Sequence, residues 1–333
     1  MIKVQLQRFI WCLNNMQLHD WCFNRLSRQL MNIILFCLMV LLMVTPCHAA
    51  SHQKDTLVIG KISHNPKKHY QYLKPMAKYV AERMADLGIE KIKIRLAKSK
   101  EHLADLLQQG EVDWVTETPV AAAYLNEVAG AEILLRKWKK GVAQYHTVFF
   151  SLSGQGIDRL EDLKGRVIAL EDPASTSAFY APANALIQRG LKLVRLDSAR
   201  DEPPANAVGF VFSREEINIA TLVHKGVVDA GAFSSDDWVK DDHLPKKYRE
   251  DFEIFHRTPD MVRALEIVRQ DLDPKIRQRL SEILLDANAN PAAAPVLRAY
   301  QRTAKFDQLT EDQKQSIYNL RNMIKAVDQA VVW

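Results

Sequence analysis

Three adjacent hydroxyl residues, Ser175, Thr176 and Ser177, are the stretch of this sequence best suited to chemistry. They follow residues 165–170, which read as a short buried strand, and precede residues 183–189, which read as a helix ending at Gly190. At a strand-to-helix turn the first helical N–H groups have no internal partners. Three hydroxyls added to those N–H groups make a compact site for an oxyanion, helped by the positive end of the helix dipole. The same residue types serve as ordinary N-caps, so both readings stand at this point. Pro182 lacks an N–H and must lie near the first turn or kink the helix.

Little else suggests reactivity. There is no Gly-x-Ser-x-Gly elbow, no His-Glu-x-x-His and no phosphate-loop lysine motif, so no enzymatic activity is expected. His64 and His69 share a loop, but two His five apart without a third ligand read as polar loop residues. No metal and no cofactor are expected. The run Arg136-Lys137-Trp138-Lys139-Lys140 reads as a solvated face.

The stretch Asp172-Pro173-Ala174-Ser175-Thr176-Ser177, followed by Phe179-Tyr180, Pro182 and an apolar helix, resembles the periplasmic phosphonate-binding proteins of ABC importers, the PhnD-type family. Leu57-Val58-Ile59-Gly60 resembles that family's first strand. The segment from Val112-Asp113 to Thr118-Pro119 resembles its first ligand turn, and Tyr145 to Phe150 its hinge strand. Val228-Asp229 resembles a second Val-Asp strand, and the likeness runs from about Thr56 to about Phe306.

The resemblance implies an α/β fold, a two-lobed type II periplasmic binding protein. Each lobe would be a mostly parallel sheet flanked by helices, joined by a two-strand hinge. It also implies that Ser175, Thr176 and Ser177 grip the oxyanion, with Glu117 and Thr118 in the first-lobe ligand turn. Tyr145 would hydrogen-bond the ligand, and its plain alternative is a half-buried strand tyrosine. Asp236 or Asp237 would meet a ligand amino group, or merely cap a helix before Trp238. Tyr70 would close over the ligand.

Two departures bear on the ligand. Where the family carries a Gly-His pair, this chain reads Phe212-Ser213-Arg214-Glu215-Glu216. Arg214 can replace that His as a forked anion donor, whereas Glu216 would repel an oxyanion. Glu117 also faces the expected oxyanion. A zwitterionic ligand, its cation meeting Glu117 or Asp236, accommodates both.

The elements that must position these residues alternate from Thr56 onward. Strands are expected at 57–62, 91–96 and 112–115, with helices at 72–87, 98–109 and 119–128. This βαβαβ order implies a parallel sheet with ligands at the carboxyl ends of its strands, which sets residues 64–70 beside 116–119. A second lobe repeats the pattern with strands at 191–196 and 227–232 and a helix at 214–225. The boundaries read as 55–150 plus 256–333 for lobe one and 151–255 for lobe two, with hinges near 150 and 250.

Residues 1–50 stand apart. Arg25 and Arg28 precede twelve apolar residues at 33–44, then Thr45-Pro46 and Cys47-His48-Ala49-Ala50. That is the pattern of a secretory signal peptide cleaved near 49–50, with a retained anchor as the other reading. All four cysteines, Cys12, Cys22, Cys37 and Cys47, lie there, so the mature chain would have no disulfide. The leader holds four Lys/Arg and one Asp, which leaves 41 basic and 39 acidic residues; such balance argues against a nucleic-acid partner. The expectation is a monomeric periplasmic protein that delivers a small oxyanion ligand to a membrane ABC permease. The alternative is a ligand sensor docking on a membrane signalling partner, and a third is a metal-free enzyme on the same fold.

Overall fold

The structure, a computed structural model, describes residues 55–333, so the leader, its cysteines and the cleavage site lie outside the described residues. The chain begins with β1 (Thr56–Ile62), β2 (Lys91–Ala97), β3 (Trp114–Glu117) and β4 (Glu132–Lys137), separated by helices Pro66–Ala81, Lys100–Gln108 and Pro119–Ala129. It crosses through the two-residue β5 (Gln144–Tyr145) into β6 (Thr147–Leu152), β7 (Val167–Leu170), β8 (Lys192–Arg195), β9 (Ala207–Phe212), β10 (Ala230–Ser234) and β11 (Phe252–Arg257). It returns through β12 (Met261–Val262) to β13 (Leu265–Val268) and β14 (Phe306–Asp307), and finishes with β15 (Val331–Val332). Two sheets result, ordered β14-β4-β13-β3-β1-β2 and β11-β6-β10-β7-β9-β8-β15, with β5 and β12 paired antiparallel between them.

The first sheet is parallel along one side, β2-β1-β3, and is extended from β3 by antiparallel pairings through β13, β4 and β14. Alternation along its strands feeds two cores, one per face. Leu57 and Ile59 pack with Met76, Val80, Trp114 and Leu284 on one side. Ile62, Leu103, Val112, Val115 and Ile267 fill the other. In the second sheet Phe149, Ile168, Phe179 and Phe210 share one core, and Phe150, Ala169, Ile219 and Phe233 the opposite one.

The two Val-Asp strands are matching lacing devices. Asp113 donates its N–H to Val58 O at 2.9 Å and accepts Val58 N–H on Oδ2 at 2.9 Å. Asp229 does the same to Val167, at 2.9 and 2.8 Å. In both, a helix ends at a left-handed glycine, Gly110 or Gly226, three residues before the Asp.

The structure moves several boundaries. The stretch at 144–152 is broken at His146, and β6 is fully inside the second sheet, between β11 and β10. The crossings are therefore at β5 and β12, rather than near 150 and 250. The tail does not stay with the first lobe: helix Leu320–Ala330 sends Ile324 and Val327 into a second-lobe core, and β15 pairs parallel with β8. Strand β9 escaped the sequence reading because Gly209 interrupts its apolar run; there a side chain would meet Leu196 and Pro203 within 3 Å. Among the described residues no helix is long and apolar enough to cross a membrane.

Candidate functional site

The ends of β1, β3, β7 and β10 converge on a cleft of about 320 Å³ between the two sheets. Its walls include Glu117, Thr118, Tyr145, Ser175, Thr176, Ser177 and Arg214, so seven of the nine expected ligand residues meet there.

Two helix starts face each other across it. Thr118 caps helix Pro119–Ala129 in extended backbone and makes no side-chain cap bond, so its hydroxyl is left for the cleft. Opposite, Ser175 Oγ accepts the Ala178 N–H at 3.1 Å. The Val120 N–H reaches over to Thr176 Oγ1 at 3.3 Å and ties the two together. Ser177 and Tyr145 share the cleft wall, and the Ser177 carbonyl accepts Thr147 Oγ1 at 2.6 Å. Capping leaves these hydroxyls able to donate: each oxygen that accepts a backbone N–H still has a proton. The turn itself is a π-helix, Thr176–Tyr180, which closes with Tyr180 N–H on Ser175 O at 3.0 Å. Such wide turns gather at functional sites. It brings Pro182 to the first turn of helix Ala181–Gln188, where a missing N–H does no harm.

The first-lobe wall is basic. Glu117, expected to face the ligand, is instead absorbed: Oε1 accepts Lys61 Nζ at 3.0 Å and Ile62 N–H at 2.7 Å. The run at 136–140 is no solvated face. Lys137 is 1 % exposed and pairs with Glu266 at 3.4 Å; burial pushes it down to about 8 despite that partner. Burial also drives Lys139 well below the usual lysine value, with Arg263, Lys61 and Lys140 adding repulsion. His69 Nδ1 shares a 2.7 Å hydrogen bond with Ser63 Oγ, and burial beside Lys61 and Lys139 lowers it to about 3. Lys61, Lys139 and Lys68 around this imidazole would repel a metal cation.

The second-lobe wall is acidic. Burial raises Glu171 well above the ordinary glutamate value, reinforced by the charges of Glu216 and Asp172. Burial likewise raises Glu216, with Asp237 next in effect, and raises Asp172. Asp237 goes the other way. Burial opposes its ionisation, yet His243, Lys140, Arg263 and Lys240 outweigh it and hold the carboxyl well below the usual range. Asp237 Oδ1 lies 2.9 Å from Lys140 Nζ and 3.1 Å from Lys240 Nζ. Glu216, Asp237 and His243 put ligand atoms within 4.8 Å of one another, but the two lysines already supply the cations there. The trio is a salt-bridge cluster.

Two expected residues are displaced. Tyr70 is 45 % exposed and outside the cleft. Its helix starts at Pro66, with Asn65 as cap, so His69 and Tyr72 share the inward face and Tyr70 turns to solvent. Asp236 points to Arg263 Nε at 2.6 Å, and Asp237 takes the cleft side of the short helix Ser235–Trp238. Arg214 is where it was expected, but with φ 69° it ends a turn, and the helix begins only at Glu216. The residues missed are Lys139, Lys140, Glu171, Arg298 and Arg302, all on cleft walls. The acidic spacing Glu171-Asp172 directly before the hydroxyl turn was the one signal available for them.

The family described as the periplasmic substrate-binding protein of ABC phosphonate transporters matches residues 59–313. XAC2383 from Xanthomonas citri is similar at 35% identity in two solved structures, each covering 83% of this chain and 99% of the other. With chloride bound the TM-score is 0.80, and with ATP bound it is 0.79. PhnD1 from Prochlorococcus marinus, solved with methylphosphonate, has 17% identity and a TM-score of 0.63 over 82% of this chain and 99% of its own. At that identity the likeness speaks for the fold. A comparison with curated proteins finds no match.

Proposed function

The chain belongs to the periplasmic phosphonate-binding proteins of ABC transporters, and from that membership we propose that its ligand is a small zwitterionic phosphonate held between the two lobes. The carrying observation is the pair of opposed helix starts, Thr118–Val120 and Ser175–Ser177, joined at 3.3 Å. Their N–H groups, hydroxyls and helix dipoles converge on one point, where an oxyanion is favoured. Arg214 and Tyr145 complete that end. The ligand's cation faces Glu171, not Glu117, Asp236 or Glu216, because Lys61, Arg263 and His243 already stand against those three. A cleft of about 320 Å³ suits a small molecule.

Binding and lobe closure about β5 and β12, without covalent chemistry, are the working steps in this reading. The mature protein starts near Ala50 or Ser51, acts as a monomer in the periplasm and hands the ligand to an ABC permease.

Titration calorimetry with phosphate, phosphite, methylphosphonate and 2-aminoethylphosphonate tests the assignment. The amine is expected to bind tightest. Ser177→Ala should weaken it by roughly ten- to hundredfold, the worth of one hydrogen bond to a charged group at ~1.5–3 kcal/mol. Failure of all four to bind removes the phosphonate reading and leaves the fold. Because XAC2383 has been solved with ATP, ATP belongs in the same series; tight ATP binding alone would move the assignment to phosphate esters.

A further inference from the structure

Among the described residues, four non-glycines hold a left-handed backbone: Lys140 (φ 57°), Arg214 (φ 69°), Gln301 (φ 58°) and Arg302 (φ 54°). All four line the central cleft. Residues with side chains keep this conformation only where their surroundings enforce it, and such strain collects at ligand sites. Here the enforcement is visible. Gln301 O accepts the Lys140 N–H at 3.2 Å, and Gln301 Oε1 accepts Lys137 Nζ at 3.1 Å. The Arg302 N–H donates to Arg298 O at 2.9 Å, and the Thr303 N–H to Leu297 O at 2.9 Å.

Three of the four strained residues are cations. Lys140 is engaged by Asp237, and Arg214 stands at the hydroxyl turn. Arg302, with Arg298 one turn earlier on helix Ala294–Ala299, borders the first-lobe side of the cleft. Among the described residues no carboxylate pairs with either guanidinium, and Glu117 on that wall is held by Lys61. Lys68, His64 and Lys139 border the same side, while Glu171, Asp172 and Glu216 form the wall opposite.

We infer that Arg298 and Arg302 form a second anionic subsite, and that the ligand class is a phosphonate carrying both an ammonium and a carboxylate, as a phosphono amino acid does. The phosphonate meets the hydroxyl turn, the ammonium the second-lobe acids, and the carboxylate the first-lobe arginines, whose forked donors match it in geometry. This rests on the phosphonate reading above.

The test compares 2-aminoethylphosphonate with 2-amino-3-phosphonopropionate, which differs by one carboxylate. Calorimetry on the wild type should show the carboxylated probe bound about tenfold tighter or more, as one added charged hydrogen bond gives. Arg298→Ala/Arg302→Ala should erase that gain and leave 2-aminoethylphosphonate within about twofold of wild type. Lys192→Ala, exposed on β8 beside the outermost strand of the second sheet, should change neither. Arg302→Gly should lose selectivity while raising the melting temperature, because glycine accepts the left-handed backbone. Equal affinity of the two probes in the wild type overturns the subsite and spares the phosphonate reading. Equal losses for both probes in the double variant also overturn it, since the arginines would then act only as a general field. Binding of neither probe overturns both.

Discussion

At the residue scale, the cleft turns on which carboxylates are already satisfied. Glu117, Asp236 and Asp237 each have a cationic partner within 3.0 Å. Glu171 and Glu216 face each other's charge, and burial raises both. An acid whose folded value is raised adds stability in full below its unfolded value, near 4.5. That stability is lost as pH climbs from 4.5 through the folded value. Glu171→Gln should therefore flatten the fall in melting temperature above pH 4.5. A ligand ammonium reverses the bias by favouring the carboxylate, so binding should release a proton. Calorimetry near pH 6 in buffers of different ionisation enthalpy should show release with 2-aminoethylphosphonate and not with methylphosphonate, and Glu171→Gln should abolish it. Identical proton stoichiometry for the two ligands would refute the assignment of Glu171. None of this was legible in the sequence, where Glu117 and Glu216 looked alike. Only the fold sets Lys61 beside the first, and Asp237 and His243 beside the second.

At the element scale, the sequence was informative wherever one local signal decided the outcome. Apolar runs placed β1 and β7, alternation placed β2, and Gly110 and Gly226 marked the helix ends before each Val-Asp strand. It failed at one local signal, the Asn65-Pro66 cap, and at one turn that no residue type announces. The helix at Pro66 starts six residues before the expected Tyr72 because Asn65 Oδ1 accepts the Lys68 N–H at 3.2 Å, and this early start is what turned Tyr70 outward. The left-handed pair Gln301-Arg302 has no glycine or asparagine to announce it. Packing around the strands behind the ligand turn is equally specific. A side chain on Gly231 of β10 would come within 2.6 Å of both Ile219 and Phe150. Gly231→Ala should overpack that layer and cost about 1–3 kcal/mol, seen as a lower urea midpoint with an unchanged slope. A midpoint equal to wild type would mean that helix Glu216–His224 yields freely, and that the second-lobe wall is not rigidly placed.

At the scale of the whole molecule, three segments among the described residues cross between the lobes, and the third is not foreseen in the sequence. Besides β5 and β12, helix Leu320–Ala330 ties them together. Lys325 Nζ meets Glu127 Oε1 of the first lobe at 2.5 Å, while Ile324, Val327 and Val331 sit in a second-lobe core. Beside it, Lys100 of the first lobe donates to the Tyr180 hydroxyl at 2.5 Å, and that hydroxyl donates to Asp328 Oδ1 at 3.0 Å. Tyr180 ends the same π-turn that begins with Thr176, so this contact fixes the far end of the ligand turn against the opposite lobe. In the proposed closure Lys100 and Tyr180 come together, and opening must part them or shift the helix. The contact therefore favours the closed form without touching ligand. Its loss, a charge-assisted hydrogen bond of ~1.5–3 kcal/mol in a partly shielded place, should weaken ligand binding by up to about tenfold after screening. Lys100→Met keeps the apolar stem and removes the ammonium, which lies 4.9 Å from the centroids of both the Tyr124 and Tyr180 rings. Its ligand-free radius of gyration by small-angle scattering should exceed wild type. The ligand-saturated value should match wild type, with the affinity loss appearing in the dissociation rate. Unchanged scattering and unchanged dissociation would show that helix Leu320–Ala330 and the hinge strands set the lobe arrangement by themselves.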